Sequence, residues 1–272
     1  MWPEIGADSA WNRENAGASP ATLTVDIAMI NTGMEIKLID AISDTHGRHG
    51  FLKLPGGDLL LHSGDISHGR GSLEGTKGFI EWLADQPYRY KVWIPGNHDF
   101  PLERDFAFWK DFSDEKGLFL LNDTGVTLEG VHIWGSPVTP WFHNWAYNRA
   151  RTKRDVTILH RCIKEHWDLI PKDTEILLTH GPVAGILDMC RRPNGDPREA
   201  VGCEELLNTI LGIPSIKLHV CGHIHEDRGH IYKHGKTFVN ASSLDGMYAI
   251  WEENKGYTHI IKDSEGGYVV EE

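Results

Sequence analysis

Met34-Glu-Ile-Lys-Leu-Ile-Asp-Ala-Ile-Ser-Asp44-Thr-His46-Gly47 turns within a few residues from an apolar run into an Asp-x-His pair beside glycine. The run Ile36–Ile42 is short and rich in Ile and Leu, as a buried strand is. The same pattern recurs along the chain. Asp58–His62 ends in Ser63-Gly64-Asp65, and Tyr90–Ile94 ends in Pro95-Gly96-Asn97-His98-Asp99. Ile176–Thr179 ends in His180-Gly181-Pro182, and Leu218–Cys221 ends in Gly222-His223-Ile224-His225. Between these runs the spacing of apolar residues predicts helices over Leu73–Ala84, Arg151–Trp167 and Glu199–Leu211. Val126–Glu129 and Val131–Gly135, around Gly130, predict a hairpin. Further strands are expected at Thr237–Asn240, Tyr248–Glu252 and near Tyr257–Lys262. Strands alternating with helices, then a strand-rich end, indicate an α/β layered fold.

Strand after strand thus ends in Asp, His or Asn beside Gly. The carboxyl ends of strands in an open sheet converge on one crevice, where ligands bind. Asp44 and His46 are two residues apart, so at a strand end both can face the same side. His223 and His225 repeat that spacing, and Asp65, Asn97 and His180 each add one donor. Carboxylates, imidazoles and an amide oxygen without thiolate suit Mn²⁺, Fe or Zn²⁺ better than Ca²⁺ or an iron–sulfur cluster. The set is too large for one tetrahedral ion and natural for two ions sharing a bridging carboxylate. Such a pair clamps both oxygens of an in-line displacement at phosphorus.

Taken in order, Asp44-x-His46, Gly64-Asp65, Gly96-Asn97-His98-Asp99, Thr-His180-Gly-Pro and Gly222-His223-x-His225 resemble the calcineurin-like metallophosphoesterases. The resemblance spans roughly Ile36 to Trp251. GSPVTPWFHNWAYN, THGPVAGILD, VGCEELLNTI and HVCGHIHEDRG resemble a narrower group, the metallophosphoesterase-domain proteins related to class III cyclic-nucleotide phosphodiesterases. Some of that group carry Gly for the first histidine of the GHxH block, which weakens the second metal site; this chain has His223. The resemblance implies a four-layer sandwich, with two mixed β-sheets face to face, helices outside and two metals at the strand ends. It implies that Asp44, His46 and His225 hold one ion, that Asn97, His180 and His223 hold the other, and that Asp65 bridges them. A hydroxide between the ions would attack phosphorus. His98 would stabilise developing charge or protonate the leaving oxygen, and Asp99 would orient His98. The implied activity is metal-dependent hydrolysis of a small or nucleotide-type phosphodiester. Phosphomonoesterase or protein phosphatase activity on the same site and a non-catalytic metal-binding scaffold are the alternatives.

The chain has 272 residues, 16 of them His, with a formal net charge of −12. That charge disfavours a general affinity for nucleic acid. Four cysteines without a CxxC pair, no long apolar run and no basic leader point to a reduced, cytoplasmic protein without a membrane span. Residues 1–33, rich in small and polar side chains, are expected to form a loose extension to a single domain over 34–272, with Met34 as an alternative start. Gly69–Lys77 fails as a P-loop, and HExxH and G-x-S-x-G are absent. His62 and His219 are expected to be structural. His49, His68, His143, His230 and Arg191-Arg192 are expected to be solvated loop residues. Trp141-Phe-His-Asn-Trp145 is expected to pack beneath a loop rather than meet a substrate.

Overall fold

The computed structural model describes residues 28–157, 161–191, 198–252 and 255–271. The strands in chain order are β1 Ala28–Ile30, β2 Leu38–Ile42, β3 Gly57–His62, β4 Tyr88–Trp93, β5 Phe119–Leu120, β6 Thr124–Leu128, β7 Val131–Ser136, β8 Thr139–Pro140, β9 Asn148–Arg149, β10 Ile176–Thr179, β11 Met189–Cys190, β12 Glu199–Ala200, β13 Leu218–Cys221, β14 Gly229–Lys233, β15 Lys236–Asn240, β16 Thr258–Lys262 and β17 Tyr268–Glu271. The helices are α1 Leu73–Ala84, α2 Phe100–Arg104, α3 Phe106–Glu115, α4 Lys164–Trp167 and α5 Glu204–Leu211.

Among the described residues two large mixed sheets form, ordered β1-β6-β7-β10-β13-β15-β14 and β17-β16-β2-β3-β4-β5. The period of two along each strand decides which sheet face each residue serves. Leu59 and Leu61 of β3 pack with Ile176, Leu178 and Val220 between the sheets. Leu60 points the other way, onto Phe79 and Ile80 of α1. Leu177 and Phe238 leave the other sheet to meet Trp167 of α4 and Leu206 and Ile210 of α5. The result is the expected sandwich, with helices outside two facing sheets. The five strands read from the sequence lie inside it. β2, β3 and β4 are parallel neighbours in one sheet, and β10 and β13 are parallel neighbours in the other.

The expected hairpin is β6–β7, closed by Glu129 and Gly130 at φ +50° and +81°, the left-handed pair that a two-residue turn needs. Other expectations need correction. The segment 1–33 is not loose at its end: β1 pairs in parallel with β6, and the Glu129 carboxylate accepts from Thr32 and Gly33 amides at 2.9 and 3.1 Å. Residues 1–27 and Arg192 lie outside the described residues.

Arg151–Trp167 is not one helix. The Ala150 amide donates to Arg161 and the Ile163 amide to Ala150, so the segment spends main-chain bonds across the chain, and among its described residues only α4 and a 3₁₀ turn at Lys153–Asp155 are helical. The helix expected from Glu199 begins at Glu204, because β12 pairs with β11 and a Cβ on Gly202 would lie 2.2 Å from the Val183 carbonyl. Tyr248–Glu252 is a turn rather than a strand, with a single bridge from Ile250 to Leu244. Helices α2 and α3 were not anticipated. Pro101 opens the first, where its missing N–H costs nothing, and Asp105 caps the second by accepting from Phe108 at 3.2 Å.

Leu61 is fully buried between the sheets. Leu61→Ala is expected to cost about 2–5 kcal/mol of unfolding free energy, measured by urea titration.

Candidate metal centre

The candidate ligands leave their strands through turns that few side chains tolerate. Asp44, His46, Asp65 and His223 have φ of +52°, +42°, +56° and +69°. Non-glycine residues are rare there and need surroundings that hold them. Main-chain bonds supply this, from Asp44 to Gly64 at 2.9 Å, His46 to Asp65 at 3.1 Å and Gly222 to His180 at 2.9 Å. The glycines beside the ligands give room. A Cβ on Gly96 would stand 2.3 Å from the Asp65 amide nitrogen and Oδ1, and one on Gly222 would stand 2.1 Å from Asp44 Oδ2.

Three groups of potential ligands converge, with their donor atoms within 4.8 Å of one another: Asp44, His46 and His225; Asp65, His180 and His223; and His46, Asp65 and His98. Asn97 joins the second, its Oδ1 lying 2.8 Å from His180 Nε2. Asp65 Oδ2 stands 3.3 Å from His180 Nε2 and 3.8 Å from His46 Nε2, between the two halves. The structure therefore brings together all seven expected ligands.

The donor chemistry fits a pair of cations. His46, His180 and His225 each turn Nδ1 to a main-chain carbonyl, of Ser67 at 2.8 Å, Ser63 at 2.9 Å and Asp245 at 3.1 Å. An imidazole that donates from Nδ1 offers a lone pair at Nε2. The Nε2 atoms of His46 and His225 face each other at 3.2 Å; two lone pairs at that distance repel, so the pair needs a proton between them or a metal cation in its place. Asp44 Oδ1 is buried with no hydrogen-bond partner, while Oδ2 accepts from the His223 amide and from Ser242 Oγ at 2.8 and 2.9 Å.

Electrostatics agree. Burial alone would lower the His180 and His225 pKa values, yet Asp65 and Asp44 respectively pull them up to about 9. Burial would raise both carboxylates, but His225 holds Asp44, and His180 holds Asp65, below the usual carboxylate range. In the metal-free chain protons thus stand where cations would. His223, by contrast, is held down to about 3 by burial.

The sequence model of the calcineurin-like phosphoesterase family matches residues 37–227, well over half of the chain. The chain belongs to this family. It is 36% identical over 222 residues to metallophosphoesterase domain-containing protein 1 of Homo sapiens, a match covering 74% of this chain and 64% of that protein. The Mus musculus protein of the same name matches equally. The chain therefore spans just under two thirds of the length of these relatives. A Caenorhabditis elegans UPF0046 protein is 32% identical over 216 residues, covering 75% of this chain and 69% of that one. Among solved structures, TT1561 of Thermus thermophilus superposes with a TM-score of 0.51 at 14% identity, covering 87% of this chain and 99% of that chain. This last likeness concerns the fold alone.

Within this calcineurin-like phosphoesterase, His98 lies on the rim of the centre. Its amide donates to Asp65 Oδ1 at 2.8 Å, its Nδ1 is 2.5 Å from the Gly69 carbonyl, and its Nε2 is 3.8 Å from Asp65 Oδ2. The expected pairing of Asp99 with His98 is not formed. Asp99 is fully buried and accepts from the amides of Gly96, Ser67 and Ile66 at 2.7, 3.0 and 3.3 Å. It ties the loop after β3 to the loop after β4. Burial, then the Asp65 carboxylate, push its pKa up to about 7.

In the aromatic stretch 141–145, Trp145 packs as expected, against the cluster that holds Phe100, Ala146 and Tyr147. Trp145 packs on the His98 ring at 4.3 Å and Phe142 meets the His223 ring at 5.4 Å, so both line the centre. Their loop is fastened by the Ala146 amide on the Asn97 carbonyl, and by Arg149 Nε on His166, whose Nδ1 meets Asp123 at 2.7 Å. His68 is exposed as expected, yet its ring lies 5.9 Å from Tyr248 beside the centre. His62 and His219 are buried in structural bonds, to Thr45 and Thr179. Sequence reasoning missed Ser242, which supports Asp44, and Tyr248, whose ring stands 5.0 Å from His46 and 5.4 Å from His225. Ser242 belonged to an Asn-Ala-Ser triplet with nothing to single it out. Asn240 of that triplet is itself buried, donating to the Ile224 carbonyl at 2.8 Å.

Asp99→Asn would turn an amide N–H₂ toward main-chain donors. It is expected to cost about 1–3 kcal/mol of stability and to weaken metal affinity. Urea titration and metal analysis check this, and an unchanged midpoint would contradict the bracing role.

Proposed function

We propose that the chain hydrolyses phosphoric esters with two divalent ions of the Mn²⁺, Fe or Zn²⁺ class, and that small or nucleotide-type phosphodiesters are its preferred substrates. The observation that carries this reading is the sharing of Asp65 between two candidate ligand groups while His98 faces the same carboxylate. Bound there, divalent ions would act as Lewis acids and lower the pKa of water toward neutrality. Asp44, His46 and His225 would hold one ion, Asn97, His180 and His223 the other, and Asp65 would bridge.

His98 is the group on this chain suited to handle a proton. With Nδ1 committed to the Gly69 carbonyl, only Nε2 can address the ester. There it can donate to a phosphoryl oxygen or to the departing alkoxide. Trp145 packs on the ring, their centroids 4.3 Å apart. The Asp65 oxygen that accepts the His98 amide keeps this residue in register with the bridge. The preference for diesters is supported by the rim. Phe142, Trp145 and Tyr248 stand against centre imidazoles, and a second organic substituent would find apolar surface there.

His98→Ala is expected to lower kcat about 10²–10⁴-fold while the protein still binds two equivalents of metal. Asp65→Ala is expected to lose both activity and metal stoichiometry. Rates over a panel of diesters and monoesters with Mn²⁺ or Zn²⁺ test the substrate class. Faster cleavage of monoesters would overturn the diester preference. Full activity of the His98 variant would overturn the assigned role.

Removing metal is expected to lower the thermal midpoint, because an ion that binds only the folded chain stabilises it in proportion to RT ln(1 + [L]/Kd). A thermal melt with and without chelator reads this directly.

A further inference from the structure

Tyr248 is an exposed aromatic residue on an unusually well-fastened turn. Asp245 Oδ1 accepts from the Met247 and Ala249 amides at 2.8 and 2.9 Å, and the Asp245 amide donates to Ala249 at 2.8 Å. The Asp245 carbonyl accepts from the Tyr248 amide at 2.9 Å and also meets His225 Nδ1 at 3.1 Å. One carbonyl oxygen therefore sets both the ligand imidazole and the tyrosine backbone. Tyr248 holds φ at +61°, a strained value for an aromatic residue, and strain of this kind gathers at functional sites. Its ring reaches His46 at 5.0 Å, His225 at 5.4 Å and His68 at 5.9 Å. It is nonetheless 36% exposed, and Met247 beside it is 83% exposed. A turn built only to cover the centre would bury these side chains.

We propose that Tyr248 is a specificity-determining residue, a platform on which a planar substituent of the phosphoric ester stacks, a nucleobase or an aryl group. The assignment rests on the phosphoesterase reading of the same centre. It adds the chemical class of the group attached to phosphorus. Stacking on an aromatic face tolerates any planar ring and asks for no hydrogen bonds. The His46 and His225 side of the centre thereby selects esters by the shape of their organic part, while the ions and His98 address phosphorus.

The test uses two non-hydrolysable probes on the metal-loaded full chain, phenylphosphonate and methylphosphonate, with binding read by calorimetry. Tyr248→Ala is expected to weaken phenylphosphonate about tenfold or more. It should leave methylphosphonate within about twofold, and metal content at the parent level. Tyr248→Phe should restore phenylphosphonate binding. Equal weakening of both probes, or loss of metal, would overturn the platform and make Tyr248 a support for His46 and His225. Unchanged phenylphosphonate binding would overturn it too. If the loaded parent binds neither phosphonate, the phosphoester reading itself fails and the platform falls with it.

Discussion

Main-chain carbonyls grip the Nδ1 atoms of four imidazoles, and the centre depends on that grip. Ser63, Ser67, Gly69 and Asp245 hold His180, His46, His98 and His225 respectively. Three of the four carbonyls belong to the loop that follows β3, which also contains Asp65. This loop therefore positions a shared carboxylate and the rings on both sides of it. Asp99 in turn holds the loop through the Ile66 and Ser67 amides. A fully buried carboxylate receiving three amides acts on geometry over a distance that its own side chain does not span. An amide at the same place would present donors to donors.

The sandwich explains why donors from distant parts of the chain meet. β2, β3 and β4 deliver Asp44, His46, Asp65, Asn97 and His98 from one sheet. β10 and β13 deliver His180, His223 and His225 from the other. The centre lies across the seam, so contacts between sheets define it. Ser43 bridges Ser242, Ser242 supports Asp44, and His180 reaches the Ser63 carbonyl. The apolar core between the sheets fixes the spacing on which these bonds depend.

The parts legible in the sequence were those where a local pattern and a tertiary role coincide. Leu218–Cys221 reads as a strand and His223 and His225 as ligands because a buried run ending in Gly-His-x-His has few other uses. Gly96 and Gly222 read as punctuation, but their need is steric, set by Asp65 and Asp44 from other strands, and no local pattern reports that. Arg151–Trp167 has helical spacing, yet tertiary bonds to Ala150 outweighed it. Asp99 reads as a partner for its neighbour His98; its partners are main-chain amides, which every residue possesses and no sequence marks. Tyr248 escaped because the turn that presents it reads equally well as a short strand.

Charge gives the last constraint. Asp44 and Asp65 are buried at the candidate centre, in a chain already at −12, and the proposed anionic ester would have to approach them. His225 and His180 offset them when protonated, and both hold protons up to about pH 9 without metal. A metal taking the same Nε2 positions must displace those protons, so protons and cations compete and acid favours release of the ions. His223, its pKa held down by burial, carries no such proton near neutrality. The carboxylates would thus serve both states, holding protons on the imidazoles in one and cations in the other. Only the second would leave excess positive charge facing the proposed ester.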